Sequence, residues 1–80
     1  MSYNIEVIYR APVDVVREHR ITDTAKAHCG ELAYREEPNA GPSQSVCLTY
    51  EFHAFDSAAN AASELRIRGE HVEGPSNYGD

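Results

Sequence analysis

The chain has 80 residues, 41% hydrophobic and 25% charged, with seven Lys and Arg against thirteen Asp and Glu and a net charge of −6. That length gives one small domain, which buries only about 60% of the surface its unfolded chain exposes. The acidic balance argues against nucleic acid and an anionic membrane as partners, no apolar run approaches the ~20 residues of a membrane span, and two cysteines are too few for a disulfide framework.

Residues 3–10 alternate as a half-buried strand does, with Tyr3, Ile5, Val7 and Tyr9 on one face and Asn4, Glu6, Ile8 and Arg10 on the other. Pro12 suits the first turn of a helix, and Val13 and Val16 give that helix an apolar edge. On a straight helix Val13, Val16 and Ala27 lie opposite Ile21, Ala25 and Cys29. A bend or break is therefore expected at 21–23, with Thr22 or Asp23 capping a second short helix and Gly30 as the stop. An extended segment over 13–21 is the competing reading.

Residues 31–36 read as a second strand with Leu32 and Tyr34 inward, and 37–43, dense in turn formers, as a loop. Residues 44–53 form the strongest strand, with Val46, Leu48, Tyr50 and Phe52 inward. Phe55-Asp56-Ser57 then marks a helix entry, Asp56 or Ser57 capping and Phe55 acting as a hydrophobic staple. Ala58, Ala61, Ala62 and Leu65 follow at helical spacing, a face small enough to lie close to a sheet, and Gly69 ends the helix. Residues 70–73 are a short last strand with Val72 inward. Gly74-Pro75 closes the single domain at 1–75 and leaves 76–80 as a polar tail.

This order, β-α-β-β-α-β, is that of the α+β ferredoxin-like sandwich, a four-stranded antiparallel sheet in the order 4-1-3-2 with two helices on one face. The uncovered face is expected to carry Glu6, Ile8, Arg10, Ala33, Arg35, Cys47, Thr49, Glu51, His53, His71 and Glu73. It has no aromatic residue for a base to stack on, which argues further against nucleic acid. The fold hosts many unrelated functions, so activity must be argued from sites.

No metal-ligand spacing is present. His28 and Cys29 are adjacent and point two ways on a helix, while Cys47 and His53 are about 20 Å apart along a strand. Cys47 has no histidine base within reach, and no cofactor is implied. The paired-cysteine loop of copper-chaperone-like domains and the glycine-rich loop of acylphosphatases both lack a counterpart here. Arg10, Arg35, His71 and Glu73 are expected at one end of the open face, beside Glu37 and the Pro42 loop, as a candidate site for a small anion.

The leading expectation is a cytoplasmic, non-enzymatic association or regulatory module. Its partner is itself or another protein, as a homodimer through the open face or an edge strand, with Ile8, Ala33, Cys47, Thr49 and Glu51 at the interface. An anion sensor or minor enzyme using the Arg10 cluster, and an acidic inhibitor of a basic protein, are the alternatives.

Overall fold

Two strongly alternating segments become the two central strands, and the remaining elements assemble around them. A computed structural model describes residues 1–38 and 44–78. The elements are β1 (Ser2–Arg10), α1 (Val15–Ala27), β2 (Glu31–Glu36), β3 (Ser45–Phe52), α2 (Phe55–Ile67) and β4 (His71–Tyr78). The sheet runs β2-β3-β1-β4 with every neighbouring pair antiparallel, and both helices pack on one face. This is the ferredoxin-like sandwich expected from the element order.

The core lies between that face and the helices. Ile5, Val7, Tyr9, Val46, Leu48, Tyr50, Phe52 and Val72 come from the sheet, Ile21 and Ala25 from α1, and Ala58, Ala61, Ala62 and Leu65 from α2. Ala58, Ala61 and Ala62 of α2 are completely buried, as close helix–sheet approach requires. Tyr3 packs against this cluster and meets the Phe55 ring edge-on, with centroids 5.7 Å apart.

Both helices end alike. Cys29 and Gly69 adopt the left-handed conformation. Gly30 N–H donates to the Ala25 carbonyl and Glu70 N–H to that of Leu65, the paired bonds of a Schellman cap. The stop of α1 is thus a cysteine, not the expected Gly30. Gly30 is required for a different reason: a Cβ there would lie 2.4 Å from the Phe52 ring.

Several expectations are corrected. Residues 15–27 form one unbroken helix capped by Asp14, whose side chain accepts from Arg17 N–H. Pro12 precedes that cap, and the helix buries Ile21, Thr24 and Ala25 and leaves Val13, Val15 and Val16 exposed. The apolar pair at 13 and 16 misled because Val13 precedes the cap, outside the helix, and Val16 is exposed in its first turn. At α2 the cap is Ala54, with no side-chain hydrogen bond, and Phe55 is the first helical residue. Residues 76–78, expected as tail, continue β4, because a bulge at Gly74-Pro75 lets the strand resume pairing with β1 at Asn4↔Ser76. The Pro42 loop lies outside the described residues.

Candidate functional site

The decisive local feature is a second bulge. β2 pairs Leu32 with Tyr50, then Tyr34 with Thr49 and Arg35 with Leu48, so Ala33 is one extra residue opposite β3. Because side chains alternate with period two, one inserted residue moves every later side chain to the other face. Tyr34, expected inward, therefore stands on the open face and is 61% exposed. Arg35, expected on the open face, turns to the helix layer.

Arg35 there completes an ion network. Its Nε and Nη2 donate to the two Glu18 carboxylate oxygens at 2.7 and 3.0 Å, and Nη1 donates to Glu37 at 2.7 Å. The Tyr9 hydroxyl also donates to Glu18 and accepts from Asp14 N–H. Arg17 lies over the Tyr9 ring, 4.9 Å from its centroid, and grips Glu70 through Nε and Nη2. The Arg35 hydrogen bond, ahead of any other effect, holds the Glu18 carboxyl below its ordinary range against the opposing effect of burial. The hydrogen bond to Glu70 likewise raises the Arg17 guanidinium. These groups tie β1, α1, β2 and β4 together at one end and are saturated by one another.

The expected anion cluster is consequently divided. Arg10 (paired across from Ser45), His71 (across from Ile8) and Glu73 (across from Glu6) share the open face. Arg35 lies on the opposite side of the sheet with its charge engaged by Glu18 and Glu37. Within the remaining group, His71 Nε2 is 3.2 Å from Glu73 Oε2, both side chains well exposed.

What the open face does hold is a less polar strip inside an acidic frame. Ile8 is paired with Cys47, Thr49 with Tyr34, and Thr49 lies two residues along β3 from Cys47. Around the strip stand Glu6, Glu31, Glu36, Glu51 and Glu73, against Arg10 as the single full positive charge among the described residues of this face. This is a net of four negative charges on one surface (His71 taken as neutral). Glu6 faces Glu73 and Glu31 faces Glu51 directly across strands, like-charge pairs that weaken a sheet. Of the expected interface residues, Ile8, Cys47, Thr49 and Glu51 are on this face, and Ala33 is the bulge itself. Cys47 is half-buried; burial first, then the Glu6 carboxylate, pushes its thiol up and keeps it protonated. Cys29, also a free thiol, is exposed at the end of α1.

Sequence reasoning missed Tyr34 because the L-A-Y-R run alternates as a regular strand would. The one available signal was Glu18, a carboxylate that Arg35 could reach only from the helix side. Among the described residues no group of three or more His, Cys, Asp or Glu side chains is arranged to hold a metal ion. Nor is any helix among them long and apolar enough to cross a membrane.

No protein-family model matches the chain, and no curated protein matches it. Among solved structures, it is similar to a NIPSNAP-family protein with unknown function from Agrobacterium tumefaciens strain C58, at 19% identity and a TM-score of 0.48. The match covers 84% of this chain and 65% of that one, so the chain spans less than two thirds of that structure's length. A second crystal structure of an Agrobacterium tumefaciens protein aligns over 98% of this chain and 96% of its own, at 17% identity and a TM-score of 0.48.

Proposed function

We propose that the chain is a non-enzymatic association module that pairs with a second copy through the open face of its sheet. The observation that carries this reading is the Ala33 bulge, which brings Tyr34 of the edge strand β2 beside Ile8, Cys47 and Thr49 of the two central strands, on a face no helix covers. A less polar centre with a tyrosine, inside a charged rim, is the anatomy of a protein interface. The two edges are less suited. β4 is interrupted by Gly74-Pro75, where proline offers no N–H, and β2 is only six residues long.

Four strands of this length present a face of roughly 500 Å², below the ~800 Å² per partner of a standard interface. The dimer is accordingly weak, with a dissociation constant on the order of 10 µM. Two faces that each carry four net negative charges repel, and salt screens that repulsion: the Debye length falls from about 30 Å at 0.01 M to about 8 Å at 0.15 M. Sedimentation equilibrium across that range tests the reading. Dimerisation that strengthens with salt supports it; a monomer at high micromolar concentration throughout refutes it. An acidic inhibitor of a basic protein has the opposite signature, a complex that salt weakens.

A further inference from the structure

Strand β2 is one edge of the sheet, with no neighbour on its outer side among the described strands. An edge strand offers a row of backbone N–H and C=O groups to another chain. None of the six residues of β2 is fully buried. Leu32, paired with the core residue Tyr50, stands on the helix side of the sheet and is still 42% exposed. It lines two adjoining hollows between β2 and α1, of about 650 and 360 Å³, which share Thr22, Lys26 and Leu32. The edge therefore keeps an apolar side chain open to a neighbour, with a channel beside it.

Charge selects the chain that fits there. Glu31 and Glu36 stand near the two ends of β2 on the open-face side, and Asp23 lines the channel. None of these three has an ion pair among the described residues. Lys26 is the one full positive charge in the lining, and Glu18, also in it, is engaged by Arg35. A second copy is a poor neighbour for this edge. Antiparallel pairing about the middle of β2 sets Glu31 of each copy opposite Glu36 of the other, and like charges directly opposite destabilise a sheet. A lysine or arginine at those positions reverses the sign of both contacts.

From these observations we infer that the β2 edge takes up a short extended segment of a cationic partner as a fifth strand. Its basic side chains lie beside Glu31 and Glu36, and an apolar one lies beside Leu32 in the channel. Alternation with period two puts these two chemistries on the two faces of one strand. In strand addition of this kind main-chain hydrogen bonds give affinity and alternate side chains give specificity. Six residues are few for joining two domains, but they match such a segment. The site goes beyond the open-face dimer and does not depend on it.

The test uses the capped hexapeptide Lys-Val-Lys-Val-Lys-Val as probe and amide NMR of the full chain as readout. Saturable shifts centred on residues 22–36, slowed amide exchange in β2 and a dissociation constant on the order of 1 mM at low salt support the site. Leu32→Ser should weaken binding about fivefold through lost apolar contact. Glu31→Gln combined with Glu36→Gln should also weaken it about fivefold, while Glu73→Gln on the opposite edge strand leaves it unchanged. Added salt should weaken this binding, whereas it strengthens the open-face dimer, so the two readings fail separately. The inference is overturned by the absence of saturation at about 20 mM peptide, far above that constant. It is overturned equally if Lys-Lys-Lys-Val-Val-Val binds as tightly, since charge alone then acts, or if Leu32→Ser binds the probe as the parent does.

Discussion

Replacing Gly30 with alanine tests the packing that places β2, and with it Tyr34. A Cβ at residue 30 would lie 2.4 Å from Phe52 Cε2 and 2.5 Å from Cζ. Carbon atoms pack best at about 3.5–4.0 Å, so the overlap is about 1 Å. Phe52 is wholly buried in the core, so its ring is enclosed by the residues around it. Overpacking of this kind costs about 1–3 kcal/mol, and an enclosed ring puts Gly30→Ala in the upper half of that range. The backbone at Gly30 is not left-handed, so the whole cost is steric. In urea, at a slope of about 1 kcal/mol/M for a chain this small, the midpoint should fall by about 2 M. The melting temperature should fall by about 10–20 °C. Phe52→Leu removes the two closest ring atoms. The same glycine substitution in that background should therefore cost at least 1 kcal/mol less, roughly the coupling expected of residues in direct contact. A Gly30→Ala protein as stable as the parent, or an equal cost in both backgrounds, refutes the reasoning.

Three other outcomes follow from the same physical picture. Cys29→Gly should stabilise the fold by about 1 kcal/mol, because it relieves a left-handed side-chain-bearing residue at the end of α1; an unchanged urea midpoint would contradict this. Glu18→Gln should cost about 1.5 kcal/mol at neutral pH, the low end for a charged hydrogen bond, since water reaches the pair. The Glu18 carboxyl is held below its ordinary value of 4.5 in the fold, so its contribution is present above that pH and disappears as pH falls through the folded value. The parent and the glutamine variant should thus converge in stability under acid, and a constant gap would be evidence against the Arg35–Glu18 network. Tyr50 is buried against Thr22 and its phenol is pushed up to about 12, burial being the main cause. Its stabilisation is complete below pH 10 and is lost as pH rises through 12, an effect of roughly 3 kcal/mol. Phenolate absorbance should show Tyr50 ionising only together with unfolding, and ionisation of Tyr50 near pH 10 in an intact fold would be inconsistent with that burial.

The layered fold was legible because β1 and β3 alternate without a break, and because α2 carries its small residues at helical spacing. The candidate site was only partly legible. Periodicity assumes an uninterrupted ladder, and a bulge needs no special residue: Ala33 looks like any strand alanine. One inserted position exchanged the roles of Tyr34 and Arg35, giving an aromatic to the open face and removing a cation from it. The α1 reading failed for a related reason. A hydrophobic pattern shows which residues are apolar, but not which of them the fold covers, and Val13 and Val16 are exposed at the start of α1.

The most direct test of the account is sedimentation equilibrium of Tyr34→Ser beside Leu32→Ser. The two residues are near neighbours in β2, both exposed, but on opposite faces of the sheet. If the chain associates through its open face, Tyr34→Ser should weaken the dimer about tenfold, as expected for a tyrosine buried in an interface, while Leu32→Ser leaves it intact. A dimer that survives Tyr34→Ser and is lost with Leu32→Ser would contradict the open-face account and place the contact at the β2 edge.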